Sequence, residues 1–247
     1  RSTQETIQAL ELGAFDFIKK PDSYLVGANN DFKEKLLKKI HLAVGLDDGT
    51  SDTELDVIKK IARVNANLAS IPKSNKFDKD EIVFIACSTG GPKSLQRVIP
   101  LLPADLACPI IIVQHMPEGF TKSLASRLNE MSKVDVVEVE DGMKLDPGKV
   151  YVAKGGYHCH ITETKKHEHQ FVLSHDSMRN GLRPCADVCL ESMAETSYEQ
   201  IISVVLTGMG DDGTRGLAYL KQYKKVKVIG QDEKSCVVYG MPRAVKA

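Results

Sequence analysis

Three apolar runs constrain the fold of this chain more than any other feature, because each is long enough for a buried strand and leads into polar residues. The runs and the residues that follow them are 81–87 with Ser88, 109–114 with His115, and 201–206 with Asp211 and Asp212. Continuous apolar runs between turns are typical of parallel strands, which are buried on both faces. Parallel sheets bind ligands outside the carboxyl ends of their strands, so a serine, a histidine and a carboxylate are expected to meet at one edge.

The chain after residue 80 alternates between strand-like and helical patterns. We predict helices over 92–102, 121–131, 185–196 and 214–223, main strands over 81–86, 109–113, 201–206 and 226–229, and short strands over 134–139, 149–153, 158–162 and 170–173. The alternation predicts an α/β fold with a doubly wound, mostly parallel, Rossmann-like sheet. The four short strands are expected to form an antiparallel hairpin excursion from that sheet.

The first 45 residues differ in pattern from the rest. We predict a helix over 6–12, a strand over 14–18 and a second helix that ends at Gly45. Three such elements are too few to bury a core alone. Residues 1–45 are therefore expected to be the last part of a domain that starts upstream.

The remaining chain divides into a linker and a larger domain. Residues 46–80 are mainly polar and contain a predicted amphipathic helix, a composition typical of an interdomain linker whose helix packs on a neighbour. Residues 81–247 form the α/β domain, and its final helix is expected to be cut short at Ala247.

Composition argues against several functional classes. The 247 residues include 33 Lys plus Arg and 33 Asp plus Glu, so the formal net charge is zero, whereas nucleic-acid binders usually have a basic excess. No apolar run reaches the roughly 20 residues that a membrane span needs, so membrane insertion is not expected. The chain has no evident secretory signal, and its six scattered cysteines are expected to be free thiols in a reducing cytosol.

Ser88 lies in a Ser-Thr-Gly-Gly turn between a predicted strand and a predicted helix. Such a turn offers a nucleophilic hydroxyl together with free backbone amides that stabilise an anion. The turn alone also fits a phosphate-binding loop or a plain helix cap. It does not match the Gly-x-Ser-x-Gly elbow of the α/β-hydrolases.

His115 and the loop 207–213 could supply the partners of that serine. Neighbouring strands lie about 4.8 Å apart, so a histidine at the end of an adjacent strand can come within hydrogen-bond reach of Ser88. The loop, Thr-Gly-Met-Gly-Asp-Asp-Gly, either caps the next helix or presents a carboxylate that orients His115. Spacing does not decide between Asp211 and Asp212.

Weaker candidates lie elsewhere in the chain. They are the histidines at 158, 160, 167 and 169, the cysteines at 185 and 189, and the arginines at 179, 183 and 243. The histidines lack a second cluster with ligand spacing, so we predict surface hairpin residues and no metal site. The two cysteines, four apart on a helix, are expected to be core residues. The arginines could attract a carboxylate-rich partner, although solvated charge is the simpler interpretation.

Four motifs together resemble the chemotaxis response regulator protein-glutamate methylesterase family (CheB-type). They are Ala-Cys-Ser-Thr-Gly-Gly-Pro at 86–92, Gln-His-Met-Pro at 114–117, Leu-Thr-Gly-Met-Gly-Asp-Asp-Gly at 206–213, and Cys-Val-Val-Tyr-Gly-Met-Pro-Arg at 236–243. The resemblance implies that Ser88, His115 and Asp212 are the catalytic residues. It also implies oxyanion or substrate-binding roles for four further residues, namely Thr89, Gly90, Met209 and Arg183.

The same resemblance implies an activity and its partners. The expected reaction is hydrolysis of glutamate γ-methyl esters, with deamidation of glutamines, on the cytoplasmic helices of methyl-accepting chemotaxis receptors, without metal or cofactor. Residues 1–45 resemble the end of a flavodoxin-like receiver domain, in which Lys20 takes the place of the lysine of the phosphorylation site. A chemotaxis histidine kinase would then be the phosphodonor to the full-length cytoplasmic protein. The alternatives are a non-catalytic adaptor that binds receptor or kinase, and a phosphate binder.

Overall fold

The structure, a computed structural model, describes residues 3–20, 26–44, 80–165 and 167–246. Two helices come first, α1 (Thr3–Glu11) and α2 (Val26–Val44). They are followed by β1 (Glu81–Cys87), α3 (Gly91–Val98), β2 (Ile110–Gln114), α4 (Phe120–Met131), β3 (Asp135–Glu138), β4 (Lys149–Val152), β5 (His158–Lys165), β6 (Glu168–Ser174), α5 (Ala186–Ser192), β7 (Gln200–Val205), α6 (Thr214–Leu220), β8 (Lys225–Gly230) and α7 (Met241–Lys246). Short 3₁₀ turns cover Ile99–Leu101, Met193–Glu195 and Glu233–Ser235.

Six strands form one parallel sheet in the order β3-β4-β2-β1-β7-β8. The first strand of the sheet along the chain is β1. On one side of β1 lie β2, then β4, then β3 at the edge; on its other side lie β7 and β8. The point at which the winding direction changes lies between β1 and β7, where sheets of this kind open a crevice at the carboxyl ends of the strands. The predicted doubly wound α/β fold is confirmed.

The central strands β1 and β2 are buried on both faces, which explains why they are almost wholly apolar. Alternate side chains of β1 point to opposite sides. Ile82 and Phe84 belong to one apolar cluster, while Ile85 and Cys87 belong to the cluster on the other face. The central strands are thereby held rigidly, and so are the residues that follow them.

The expected antiparallel excursion is smaller than the sequence suggested. β5 and β6 do form a two-stranded antiparallel sheet. The prediction was wrong for β3 and β4, which join the main sheet in parallel, with β4 next to β2. The physical reason is burial: Val150, Tyr151 and Val152 are each almost completely buried, and successive residues point to opposite faces, so β4 needs cover on both sides.

The predicted helices are present, but several end earlier than expected. The segments 92–102 and 185–196 change to 3₁₀ turns after Val98 and Ser192, and the helix from Thr214 ends at Leu220. Pro100 lacks a backbone N–H, so it cannot continue the i to i−4 bonding of α3.

The N-terminal segment contains its two predicted helices but not the predicted strand over 14–18. Residues 14–20 have no regular secondary structure and pair with no described strand. They lie against the sheet domain instead, where the aromatic ring of Phe17 stacks on that of Phe120. The linker, predicted over 46–80, lies outside the described residues except for Asp80. Among the described helices, none combines the length and the apolar character that a membrane span requires.

Candidate active site

Ser88 and His115 are brought together by the register of the two central strands. Cys87, the last residue of β1, is paired with Gln114, the last residue of β2. Ser88 and His115 therefore follow neighbouring strands at the same level, and the His115 amide donates to the carbonyl of Cys87 at 3.1 Å. The Ser88 amide donates at 3.0 Å to the carbonyl of Thr207, which begins the loop after β7. Three strand ends thus meet around Ser88, as the sequence predicted.

Asp212, rather than Asp211, is the partner of His115. Nε2 of His115 lies 2.6 Å from Oδ2 of Asp212, and their side chains are only 8% and 2% exposed. Asp211 is exposed to solvent. Spacing did not decide between Asp211 and Asp212, but their positions in the structure do, because the backbone turns Asp212 inward and leaves Asp211 exposed.

The Asp212 carboxylate is held in its charged form. Burial by itself raises its pKa, but hydrogen bonds from His115, Cys185 and the Ala186 amide outweigh that effect and lower the pKa to about 2. The group is an anion at neutral pH. A buried anion beside an imidazole both orients the ring and stabilises the cation that forms when the ring takes a proton.

The ring nitrogens of His115 have different surroundings. Nε2 faces Asp212, so a neutral ring that donates from Nε2 keeps a lone pair on Nδ1. Nδ1 is the nitrogen left to accept a proton from Ser88. Among the described residues, no hydrogen bond joins the Ser88 hydroxyl to His115, although their backbones are adjacent. Catalytic hydrogen bonds often become short only when substrate binds.

Gln114 is a site residue that sequence reasoning missed. Its side chain is 2% exposed, and Nε2 donates to the Ser88 carbonyl at 3.0 Å and to the His115 carbonyl at 3.2 Å. An added Cβ on Gly91 would collide with its Oε1. Gln114 thus joins the two turns that carry the serine and the histidine. A polar residue at the end of an otherwise apolar buried strand was the available indication.

The loop after β7 approaches Ser88 closely because it contains glycine. A Cβ on Gly208 would lie 2.9 Å from Cβ of Ser88 and would also collide with the sulfur of Met241. The carbonyl of Gly208 accepts hydrogen bonds from the amides of Gly240 and Met241 at 3.1 and 2.8 Å. The loop is therefore held between Ser88 and the start of α7.

A cavity of about 620 Å³ opens over this edge of the sheet. Its lining includes most of the residues that the resemblance singled out, namely Ser88, Thr89, Gly90, His115 and Arg183. Met209 does not line the cavity, and its side chain is 45% exposed on the neighbouring loop. Asp212 lies behind His115, out of contact with the cavity.

Arg183 is held by the backbone of the preceding loop. Its Nη1 donates to the carbonyls of His175 and Asp176, at 2.8 and 2.9 Å, while its Nε is buried without a hydrogen-bond partner among the described residues. Arg179 is committed to Glu191 through a 2.5 Å ion pair. Arg183 is thus the arginine of this loop that lies at the cavity.

The N-terminal segment covers one side of the cavity. Oδ2 of Asp16 accepts a hydrogen bond of 2.8 Å from Oγ1 of Thr89, the residue after Ser88, and also pairs with Lys39. Lys20 lines the same cavity. Ile7 and Leu10 of α1 are buried in the apolar cluster that contains the core of α4. Residues from before the linker therefore lie next to the candidate nucleophile.

The histidines of the β5–β6 hairpin are not all surface residues, so that prediction was wrong for two of them. His158 is 2% and His169 is 6% exposed. Nε2 of His158 lies 3.1 Å from the carbonyl of Ser177, and the His169 ring stacks on Tyr198 at 4.1 Å. His169 lies on the face of the hairpin that packs into the apolar core, whereas His158 lies on the opposite face, against the segment that contains Ser177.

One group of potential metal ligands is found among the described residues, and it contains none of these histidines. Cys185, Asp187 and Asp212 have ligand atoms within 4.8 Å of one another, all buried. Their oxygens already accept backbone N–H groups: Oδ1 of Asp187, for example, accepts from Gly213 and Gly216 at 2.9 and 2.7 Å. A cation would have to displace these donors, so the cluster fits a hydrogen-bond network better than a metal centre.

Replacing Gly208 with alanine is expected to disturb both stability and activity. The new methyl group must push Ser88 or Met241 aside, which we expect to cost about 1–3 kcal/mol in the free energy of unfolding and to lower turnover by displacing the serine. Denaturant unfolding and an esterase assay measure the two effects. Gly142→Ala is the control, since a Cβ there meets nothing within 4 Å and the strain of its φ of 73° is far from the site. Because the strain at Gly142 costs some stability by itself, the comparison that decides is turnover: an equal loss of turnover in the two variants would contradict the close approach.

Stability is expected to fall steeply with acid between about pH 4 and pH 2. The folded pKa of Asp212, about 2, lies below the ordinary value of 3.8, so its contribution is present above the unfolded pKa and is lost as pH falls through the folded one. The loss should be about 2 kcal/mol for this group. Unfolding by urea across this range measures it. Asp212→Asn should flatten that part of the curve, and Asp211→Asn should leave it unchanged; an equally steep curve in Asp212→Asn would contradict the assignment.

Comparisons with known proteins identify the family of this chain. The sequence profile of the CheB methylesterase family matches residues 83–247. A protein-glutamate methylesterase/protein-glutamine glutaminase of Syntrophomonas wolfei is 40% identical over 249 residues, covering 99% of this chain and 68% of that protein. The corresponding protein of Bacillus subtilis is 41% identical over 245 residues, with coverages of 98% and 68%.

A solved structure extends the likeness to three dimensions. The crystal structure of the Thermotoga maritima CheB methylesterase catalytic domain matches with a TM-score of 0.64 at 45% identity, covering 67% of this chain and 86% of that one. The family profile alone covers more than half of the chain, and the motifs around Ser88, His115 and Asp212 lie within it. The chain therefore belongs to the CheB methylesterase family.

Proposed function

We propose that this chain is a protein-glutamate methylesterase that hydrolyses glutamate γ-methyl esters and deamidates glutamines of chemoreceptors. The observation that carries the proposal is the buried 2.6 Å contact between His115 and Asp212 beside Ser88, at the switch point of a parallel sheet. Curated relatives with about 40% identity bear the name protein-glutamate methylesterase/protein-glutamine glutaminase. The enzyme is accordingly a hydrolase of the serine type.

In the first half of the reaction, Oγ of Ser88 attacks the ester carbonyl while Nδ1 of His115 takes the hydroxyl proton. Asp212 stabilises the resulting imidazolium through Nε2. The tetrahedral intermediate collapses, and the leaving methoxide takes the proton from His115 and departs as methanol. A glutamyl ester of Ser88 remains.

In the second half, water replaces the serine. His115 removes a proton from the water as it attacks the glutamyl ester, and it then returns that proton to Oγ of Ser88. The receptor glutamate is released as a carboxylate. With a glutamine substrate the first leaving group is ammonia rather than methanol, and the remaining steps are the same.

The negative charge of the tetrahedral intermediate needs donors at the strand ends. We assign this role to backbone amides around Thr89, Gly90 and Met209. The first two lie in the turn that contains Ser88, and Met209 lies in the loop after β7, which is bonded to Ser88. Preorganised amides lower the barrier because they need no reorientation when the charge develops. Arg183, at the cavity, is assigned to substrate binding, where an acidic receptor surface would supply its counter-charge.

The proposed substrate also indicates where the enzyme acts. Methyl esters on the cytoplasmic helices of chemoreceptors are accessible only from the cytoplasm, and we place the protein there. Six free cysteines among the described residues are compatible with a reducing compartment. The receptor is thus the macromolecular partner of the site.

Residues 1–45 are proposed to be the end of a receiver domain that regulates access to the site. The support is their position: Asp16 bonds to Thr89, Phe17 stacks on Phe120, and Lys20 lines the cavity. In the full-length protein a chemotaxis histidine kinase would be the phosphodonor, and phosphorylation would move this segment away from the receptor-binding edge.

The covering role predicts that Phe17→Ala raises esterase activity. Losing the ring stack with Phe120, whose centroids lie 4.7 Å apart, should favour the uncovered state and raise turnover of receptor about two- to tenfold. Initial rates of methanol release measure the effect. Leu12→Ala is the matched control, because Leu12 lies in the same segment but is 84% exposed. Unchanged or lower activity in Phe17→Ala would contradict the covering role.

The function itself is tested by supplying the purified chain with receptor cytoplasmic fragments. Fragments that carry glutamate methyl esters should yield methanol, and fragments with glutamine at the same positions should yield ammonia. A non-catalytic adaptor, the alternative, would bind the fragments and release neither product. Binding with no release, also in Phe17→Ala, would therefore reject the esterase in favour of the adaptor.

A further inference from the structure

The Asp212 carboxylate accepts hydrogen bonds from five donors, three of which belong to consecutive residues at the start of α5. On Oδ2 the donors are Nε2 of His115 at 2.6 Å and the amide of Ala186 at 2.7 Å; on Oδ1 they are Sγ of Cys185 and the amides of Asp187 and Gly213, each at 3.0 Å. A carboxylate offers about four lone-pair positions, so this one is fully satisfied. Its two oxygens cannot exchange places without breaking bonds on both.

Cys185 donates through its side chain, as His115 does, whereas the other three donors are backbone amides that a substitution does not remove. Its side chain is fully buried, and its thiol points at Oδ1, the oxygen that does not face His115. Burial and the nearby charge of Asp212 raise the pKa of the thiol far above its ordinary value, so the sulfur keeps its proton and is a donor.

Contacts between α5 and the loop after β7 fix the position of Cys185 relative to Asp212. Asp187, two residues along α5, holds the amides of Gly213 and Gly216, which ties α5 to the loop that carries Asp212. A Cβ on Gly216 of α6 would lie 2.7 Å from Cα of Asp187, so the backbones of α5 and α6 are in contact. The backbone of Asp212 is thereby held in place. The rotation of its carboxylate is set by the five donors together, and the Cys185 thiol is the donor that a side-chain substitution outside His115 can remove.

We propose that Cys185 is a positioning residue of the esterase: its thiol donates to Oδ1 of Asp212 and so keeps Oδ2 directed at Nε2 of His115. This inference rests on the proposed function, and it deepens that function by assigning a role to a cysteine that takes no covalent part in the proposed reaction. In the sequence, Cys185 looked like an ordinary core residue. Only the contact between the start of α5 and the loop after β7 gives it a partner.

The test compares substitutions that keep or remove the donor. Cys185→Ala should lower kcat about tenfold to a hundredfold with KM nearly unchanged, because a hydrogen bond to a charged group is lost while the substrate surface stays intact. Cys185→Ser, which keeps a donor in a similar volume, should restore most of the lost kcat. If the alanine protein does not fold, Cys185→Val, which fills the space without a donor, takes its place.

Cys189→Ala controls for the loss of packing. Cys189 lies one turn further along α5 and is equally buried, but its thiol hydrogen-bonds with Cys159 and is not one of the five donors to Asp212. It should cost stability without changing kcat by more than about twofold. A kcat loss in Cys189→Ala equal to that in Cys185→Ala, or a serine variant no better than alanine, would overturn the positioning role.

A readout without turnover separates this inference from the proposed function. The proton between His115 and Asp212 should give a far-downfield proton resonance, which should shift or broaden in Cys185→Ala and not in Cys189→Ala or Cys185→Ser. If wild type releases no methanol, the proposed function fails while the resonance still tests the contact. If wild type is active and both kcat and the resonance are unchanged in Cys185→Ala, the positioning role fails alone.

Discussion

Ser88→Ala is expected to lower the rate of methanol release by at least about 10⁴-fold, because the oxygen that bonds to the ester carbonyl is gone. The loss should appear in kcat. Binding of the receptor should change little, since the Ser88 side chain is a small part of a cavity of about 620 Å³. Release of methanol from methylated receptor fragments measures the rate, and co-sedimentation with the same fragments measures binding.

The matched control for Ser88 is Ser94→Ala. Ser94 lies in the middle of α3, six residues after Ser88, and its amide bonds to the Gly90 carbonyl in the helix. Its substitution should leave the rate within about twofold, as is usual for changes away from a site. A Ser88→Ala protein that retains a tenth or more of the wild-type rate would mean that water attacks the ester directly, and the serine mechanism would be wrong.

Asp212→Asn is the second change with a very large expected effect. An amide has no charge to stabilise the imidazolium, and its NH₂ group can donate to Nε2, which favours the wrong tautomer of His115; in Ser-His-Asp hydrolases this change lowers kcat about 10⁴-fold. The shape of the side chain is preserved, but its NH₂ group must face backbone N–H donors that now bond to the carboxylate, so the variant should fold with reduced stability at neutral pH. The effect is measured in the same methanol assay, with folding checked by circular dichroism.

Asp211→Asn makes the comparison specific, because the neighbouring acid has the same chemistry and the opposite burial. Asp211 is exposed, whereas Asp212 is 3% exposed and bonded to His115. We expect Asp211→Asn to keep the rate within a factor of about two. If Asp211→Asn were the more damaging change, the carboxylate would have to be reassigned and the loop would have to turn the other way in solution.

The sequence predicts those parts of the fold that depend on local patterns. The apolar runs that form β1, β2 and β7 needed cover on both faces, and that requirement led directly to a parallel sheet with Ser88 and His115 at one edge. The pairing of β3 and β4 was not predicted, because a short alternating strand looks the same in a hairpin and in a parallel sheet. Burial of both faces of β4 distinguishes them, and burial appears only in the folded chain.

Within the site, sequence reasoning found the residue types but not the contacts that bind them together. The choice between Asp211 and Asp212 depends on which way a glycine-rich loop turns, and adjacent positions carry the same side chain. Gln114 was overlooked, and Cys185 was assigned to the core, for a related reason. Each belongs to an apolar stretch, and its partner lies on an element far away in the chain.

In the N-terminal segment, the sequence predicted a strand that its described residues do not form. Ala-Phe-Asp-Phe-Ile at 14–18 has the alternation of a strand, yet these residues pair with none in the described structure. Their alternation serves a different contact: Phe17 packs on α4 while Asp16 reaches Thr89. Periodicity reports which side chains are buried, and it does not report what buries them.

The central claim, that Ser88, His115 and Asp212 act as one catalytic unit, is tested most directly by combining two substitutions. Residual methanol release is measured for Ser88→Ala, for Asp212→Asn and for the double variant. Members of one unit lose their effect once another member is gone, so we expect the double variant to release methanol at the same residual rate as Ser88→Ala. Losses that multiply in the double variant would show that the two residues act independently, and would contradict the triad.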